Sequence, residues 1–191
     1  MNGIILASGF SRRMGKNKLL ISIEGEPILQ RVIREIKKSN ISNIILVARE
    51  DNVIKLGIQE KIQVVKNEFA FYGQSQSIKL GLTKVDLNKN FMFFCGDQPF
   101  IDSTNINKLI AESLKFNDNI IIPRVKNRIG SPIIFPRILK EQLEELEGDV
   151  GGKEVIKANK NKVKYIDIDN ALFLQDIDTI DDYMKFINNE K

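Results

Sequence analysis

Short unbroken runs of apolar residues alternate along this chain with amphipathic stretches. Ile4-Ile5-Leu6-Ala7 is the first run, and its length predicts a buried strand. Pro27 then opens a helix in which Ile28, Leu29, Val32, Ile33 and Ile36 share one face. Ile44–Val47 predicts a second buried strand, residues 53–60 a short helix, Ile62–Val65 a strand and Ser75–Leu82 a helix. Phe91-Met92-Phe93-Phe94 is a further apolar strand that runs into Cys95-Gly96-Asp97. Ser103 reads as the cap of a helix faced by Ile106, Leu109, Ile110 and Leu114. Ile120-Ile121-Ile122 predicts a strand closed by Pro123, and Pro132–Phe135 another. Helices follow over 137–146 and 151–158, and Val163–Ile168 alternates as a half-buried strand does. Thr179 caps the last helix, with Asp181 and Asp182 in its first turn, where the helix dipole favours them.

Strands without polar positions are buried on both faces. Their alternation with helices predicts an α/β fold: a single domain over residues 1–191, a three-layer αβα sandwich around a mostly parallel, Rossmann-like sheet. Ligands bind such sheets beyond the carboxyl ends of the strands. The loops at 8–18, 66–75 and 95–99 should therefore converge.

Composition narrows the chemistry. The chain of 191 residues is 42% hydrophobic and 28% charged, as an ordinary globular domain is. No apolar stretch approaches the roughly 20 residues that span a bilayer, and no secretion signal is visible. With a single cysteine, Cys95, an internal disulfide and an all-cysteine metal site are excluded, and the expected location is the cytoplasm. The net charge of +4 is mild, and no basic block is interleaved with aromatics, so neither nucleic acid nor membrane is an expected partner. There is no histidine, which excludes His-based triads, His general bases and His-ligated zinc. Any metal is then held by oxygen, so Mg²⁺ or Mn²⁺ is expected.

The first strand opens into small residues interleaved with Arg12, Arg13, Lys16 and Lys18. Such a loop lets backbone N–H groups approach an anion while the cations neutralise it, which suits a polyphosphate. Five residues separate Gly9 from Gly15 and Asn17 follows Lys16, so this is not a Walker A loop. Gly-x-Gly-x-x-Gly is absent as well. Asp97 follows a buried strand, a natural place for a ligand of a metal that bridges phosphates and equally for a plain turn stopped by Pro99.

The segment Leu6-Ala7-Ser8-Gly9-x-Ser11-x-Arg13-Met14-Gly15-x-x-Lys18-x-Leu20 resembles the signature loop of the nucleotidyltransferases that activate molybdopterin, above all the molybdenum cofactor cytidylyltransferases. The resemblance extends in motif order to Asp182 and implies a nucleotidyltransferase (GT-A-like) fold. It implies that Leu6, Ala7, Ser8 and Gly9 wrap a nucleoside triphosphate, with Arg13 and Lys18 on its phosphates as catalytic cations. Gly96-Asp97-Gln98-Pro99 matches the family's metal motif, so Asp97 is implied as a catalytic metal ligand and nucleotide contact. Asp176-Ile177-Asp178-Thr179 resembles the family's Asp-x-Asp-Thr-Pro, with Ile180 in place of Pro, and implies Asp178 as the second metal ligand. Gly73 through Leu82 resembles the segment that contacts the base, carried here by Gly73 and Ser77. Gly130-Ser131-Pro132 resembles a Gly-x-Pro segment on the pterin side, where many members have His at the position of Ser131. Gly148-Asp149-Val150-Gly151-Gly152-Lys153 resembles the family's Gly-Asp-x-Gly-Ala-Arg, a Gly-rich helix start that suits the acceptor phosphate, with Lys153 in place of Arg.

What these matches imply is transfer of CMP from CTP to the terminal phosphate of a molybdopterin-type cofactor, with Mg²⁺ or Mn²⁺ and release of pyrophosphate. By analogy a molybdenum hydroxylase or its maturation chaperone receives the product. Guanylyl-transferring relatives tend to carry Leu-Ala-Gly-Gly and cytidylyl-transferring ones Leu-Ala-Ala-Gly, and Ser8 matches neither. Guanylyl transfer to the same cofactor, transfer to a sugar or alcohol phosphate, and a non-catalytic nucleotide-binding or cofactor-delivery role stay open at this point.

Overall fold

The structure, a computed structural model, describes residues 1–10 and 17–188. In chain order the elements are β1 (Asn2–Ala7), β2 (Ser22–Ile23), β3 (Glu26–Pro27), α1 (Ile28–Lys38), β4 (Asn43–Ala48), α2 (Asp51–Gln59), β5 (Gln63–Lys66) and α3 (Gln74–Leu82). Then come β6 (Phe91–Cys95), α4 (Ser103–Lys115), β7 (Ile120–Val125), β8 (Arg128–Ile129), β9 (Ile133–Phe135), α5 (Lys140–Glu144), α6 (Lys153–Ala158), β10 (Val163–Asp167) and α7 (Ile180–Asn188). The strands of the central sheet lie in the order β10-β7-β9-β6-β1-β4-β5, with β8 paired to β7 off this path. β1 sits in the middle, parallel to both β4 and β6.

Period-2 alternation along the apolar strands supplies both faces. Ile5, Leu46, Met92, Phe94 and Ile121 pack on one side with Leu29 and Ile33 of α1 and Leu109 of α4. Ile4, Ile45, Phe91, Phe93 and Ile120 pack on the other with Ile78 of α3, Leu143 of α5 and Val155 of α6. The three-layer α/β architecture follows from that division.

The sheet is mostly parallel, as expected, and holds one antiparallel insertion, because β9 pairs antiparallel with both β6 and β7. It follows β7 through the short β8 hairpin, and a connection that short cannot carry a parallel crossover. Two local expectations are corrected. First, β7 does not close at Pro123 but continues to Val125. The Ile168 N–H donates to the Arg124 carbonyl at 2.8 Å. The backbone groups of residue 124 therefore face β10 and those of 123 face the opposite side, beyond the last β7–β9 pair of Ile121 with Ile134. No ladder bond is lost there for want of a proline N–H. Second, Asp102 rather than Ser103 caps α4: its Oδ1 accepts from the Asn105 N–H at 2.8 Å, and its Oδ2 accepts from Asn170 Nδ2 at 2.9 Å.

Burial alone would raise the Asp102 pKa, but the bonds from Asn170 and Asn105 outweigh it and hold the carboxyl below its usual value. Asp102→Ala should lower stability by about 1–2 kcal/mol in urea unfolding at neutral pH. Because the folded value is depressed, the contribution is fully present above the unfolded value near about 4 and fades as pH falls through the folded one. An unfolding midpoint unchanged at pH 7 would contradict the cap.

Thr179 caps α7 as expected, and reciprocally. Its Oγ1 accepts from the Asp182 N–H at 3.1 Å, while Asp182 Oδ2 accepts from the Thr179 N–H at 3.0 Å.

Candidate active site

The loops after β1, β5 and β6 converge, as the parallel topology requires, on a cleft of about 1010 Å³. Leu6, Ala7, Ser8 and Gly9 form one wall, Gly73 and Ser77 another, and Lys18, Asp97 and Asp178 its floor. Arg13 lies outside the described residues.

Each floor residue has a local cause. Lys18 begins a single 3₁₀ turn, Lys18–Leu20, in which Asn17 Oδ1 accepts from the Leu19 N–H at 3.0 Å. Leu19 is buried, so the turn anchors inward on its neighbour and leaves the lysine to the cleft. Asp97 follows β6 directly, where the Gly96 N–H donates to the Leu6 carbonyl at 3.1 Å and ties the end of β6 to β1. Asp178 comes from 81 positions later, yet the Ile177 N–H donates to the Asp97 carbonyl at 3.1 Å. Ile177 is fully buried with Ile23 and Ile28, so one apolar side chain and one backbone bond bring the second carboxylate to the first.

The Lys18 ammonium stands between the two carboxylates, 2.5 Å from Asp97 Oδ2 and hydrogen-bonded to Asp178 Oδ1. Burial by itself lowers the lysine pKa, but the charges and hydrogen bonds of Asp97 and Asp178 outweigh it and raise it above its ordinary value. Lys18 is thus a fixed cation. Asp176 lies close enough to feel both carboxylates: burial first, and then those charges, hold its own pKa above the usual range. Among the described residues no group of three or more His, Cys, Asp or Glu side chains is placed to hold a metal ion. Two oxygen donors that already converge on one positive charge nevertheless suit a hard divalent cation completed by phosphate oxygens and water.

A second cavity of about 330 Å³ adjoins the first. Ser131, Gly151, Gly152 and Lys153 line it, together with Phe93, Phe135 and Leu143. Gly130 and Pro132 do not; Gly130 packs towards Leu174. Burial pushes the Cys95 thiol up to about 11, with the Asp97 charge adding to it, so the thiol stays neutral and is no nucleophile at physiological pH. Its Sγ donates to Ser131 Oγ at 3.4 Å.

Two hydrogen-bonded ties within the site emerge only from the fold. Asn67 is fully buried: its N–H donates to the Ala48 carbonyl at 2.8 Å, its Nδ2 to Ser77 Oγ at 3.0 Å, and its Oδ1 accepts from the Phe69 N–H at 3.0 Å. It ties the loop after β5 to both β4 and α3. Asp149 lines both cavities, and its Oδ1 accepts from the Gln74 N–H at 3.1 Å. The Ser75 hydroxyl adds a bond to the Gly148 carbonyl at 2.7 Å. The only sign of this tie in the chain is glycine. Gly73 has φ +100°, and a Cβ there would lie 2.4 Å from Asp149 Cα. Gly73→Ala should therefore lower stability by about 2–3 kcal/mol, read from urea unfolding. A variant as stable as the parent would contradict the close approach.

With this geometry in hand, comparison with known proteins decides the family. Residues 3–163 match the MobA-like NTP transferase domain. The chain belongs to that family. It is a nucleotidyltransferase. The purine catabolism protein PucB of Bacillus subtilis strain 168 is 24% identical over 193 residues, covering 95% of this chain and 93% of its own. A probable molybdenum cofactor guanylyltransferase of Thermococcus gammatolerans is 30% identical over 148 residues, covering 76% of this chain and 74% of its own. In structure, Rv0371c of Mycobacterium tuberculosis H37Rv, solved in complex with manganese, superposes with a TM-score of 0.81 at 21% identity, covering 98% and 97% of the two chains. In this MobA-like chain no helix among the described residues is long and apolar enough to cross a membrane.

Proposed function

We propose that this MobA-like nucleotidyltransferase transfers CMP from CTP to the terminal phosphate of a molybdopterin-type cofactor, releasing pyrophosphate. The observation that carries this reading is the Asp97–Lys18–Asp178 floor of the larger cavity, which shares Leu6, Gln74, Cys95 and Asp149 with the adjoining smaller one, the first suited to the nucleotide and the second to the acceptor. A phosphate acceptor is already anionic near neutral pH, so the absence of histidine and the neutral Cys95 thiol are no obstacle: no general base is needed. What remains is to align two anions and neutralise the charge that builds up as pyrophosphate leaves.

The residues divide that work. Lys18 and Arg13 neutralise phosphate oxygens; Gly73 and Ser77 place the base against Leu6, Ala7, Ser8 and Gly9. Asp97 and Asp178 are the residues that would hold Mg²⁺ or Mn²⁺, and the manganese bound by the mycobacterial relative fits such a donor set. The metal, when bound, supplies further neutralisation of phosphate charge. Ser131, Gly151, Gly152 and Lys153 receive the acceptor, with Lys153 as a point charge on its phosphate, and Gly130 and Pro132 flank Ser131 in the chain. The Ser8 side chain is buried in the cleft wall, its hydroxyl donating to the Val47 carbonyl at 3.2 Å. What leans towards CTP is the resemblance of the Gly130-Ser131-Pro132 loop and of the Asp176-Ile177-Asp178-Thr179 segment to those of cytidylyl-transferring relatives. A molybdenum hydroxylase or its maturation chaperone would receive the product.

A second reading is guanylyl transfer to the same cofactor, favoured by the name of the Thermococcus relative at 30% identity. The deciding experiment incubates the protein with divalent metal, molybdopterin-type acceptor and each of CTP, GTP, ATP and UTP while pyrophosphate is followed. Release specific to CTP and dependent on acceptor is the expected result. GTP specificity establishes the second reading. No release with any triphosphate overturns both and directs the search to sugar or alcohol phosphates.

A further inference from the structure

Three aromatic residues stand at the mouth of the nucleotide cleft with their rings outward. Phe69, Phe71 and Tyr72 are 54%, 64% and 57% exposed, whereas Phe91, Phe94, Phe135 and Phe173 of the core are at most 2% exposed. The rings form one cluster: Phe71 and Tyr72 have centroids 4.2 Å apart at a 39° tilt, and Phe69 backs them at 6.4 and 6.3 Å. Between them in the chain, Ala70 is 7% exposed. The Ala70–Tyr72 turn thus puts its smallest apolar residue inward and its largest outward, the reverse of what burial of apolar surface dictates.

The arrangement is held in place. The three bonds of Asn67 fix the start of this loop, and Gly73, locked against Asp149, fixes its end. An apolar surface held rigid in water, at the rim of a cleft whose floor is charged, fits the flat apolar part of a ligand whose other end is anionic. A nucleoside triphosphate has that shape. With its phosphates at Lys18, its base must be placed by the rest of the same cleft, and Phe71 and Tyr72 line it.

We propose that Phe71 and Tyr72 form a stacking wall for the nucleobase of the bound triphosphate. This rests on the nucleotidyltransferase reading and adds a contact to it: hydrogen bonds from the Gly73–Ser77 side read the base edge, and the rings take its face. A stacking wall favours nucleotides over bare polyphosphate without itself choosing between bases, since every base has a π-face.

The test is equilibrium binding by calorimetry, with divalent metal, of CTP, GTP and inorganic tripolyphosphate, which keeps the phosphates and lacks a base. The parent is compared with Phe71→Ala, Tyr72→Ala, the double variant and the ring-retaining Tyr72→Phe. Both side chains are exposed, so the fold should survive, and thermal unfolding verifies it. Expected for the double variant is a loss on the order of tenfold to a hundredfold in affinity for whichever of CTP and GTP the parent binds. Tripolyphosphate should be held as by the parent, and Tyr72→Phe should retain nucleotide affinity. Unchanged nucleotide affinity or an equal loss for tripolyphosphate overturns the stacking wall. A parent protein that binds tripolyphosphate but no nucleotide overturns it too. If the parent binds none of the three, the nucleotide-transfer reading itself falls.

Discussion

Lys18→Ala should reduce nucleotidyl transfer by about 10³-fold while the protein stays folded. The magnitude is that of removing one preorganised charge from the place where phosphate charge develops. The side chain is 15% exposed and held at the cleft floor by two carboxylates, within reach of the phosphates it neutralises once metal takes those oxygens. Lys18→Arg should not restore the rate, because a planar fork cannot stand where a compact ammonium fits between two oxygens. Steady-state rates at saturating nucleotide, beside thermal unfolding of the same variant, check this. Turnover within a few-fold of the parent would remove Lys18 from the chemistry.

The two carboxylates should not be equivalent. Asp97→Asn should cost about 10³-fold in turnover at any concentration of Mg²⁺ or Mn²⁺, and Asp178→Asn about tenfold to a hundredfold, part of it recovered by excess metal. Side-chain exposure is 20% at Asp97 against 42% at Asp178, so solvent screens the second charge more and water replaces its oxygen more readily. Asp97 also follows a central strand, whereas Asp178 is carried by a segment docked through Ile177. Metal titrations of turnover with each variant test the order. If Asp97→Asn behaves as the parent, the metal assignment is wrong; if Asp178→Asn is the more damaging, the ranking by exposure is.

The strands of this chain are legible in its sequence because burial on both faces leaves no polar position in β6, nor in β1 and β4 after their first residues, Asn2 and Asn43. The helices are legible because their buried faces keep the 3.6-residue period. The loops at their carboxyl ends are legible as a group, since parallel topology alone brings 8–10, Lys18, 66–75 and 95–99 to one side. Partners set by long-range backbone geometry are not. β9 reads as any short apolar strand, and only its pairing shows it to be antiparallel. Asn67 reads as a turn residue, although its three bonds organise the loop that carries Phe71 and Tyr72. The Ser75 and Ser77 hydroxyls read alike in a helix start, yet one is spent on the Gly148 carbonyl while the other accepts from Asn67 and faces the cleft. The nearness of Asp178 to Asp97 is visible only through resemblance, because nothing in the spacing reveals the bond from Ile177.

The tie between Gln74 and Asp149 has a consequence for attempts to re-engineer base choice. Residues 73–77 and 148–152 share hydrogen bonds, and Gly73 meets the backbone of the opposite loop closely enough that a single Cβ would collide with it. A chimera that imports the first segment from a relative and keeps the second would inherit mismatched halves of one joint. The two segments form a single exchangeable cassette, and grafts that move them together should fold where grafts of either alone do not.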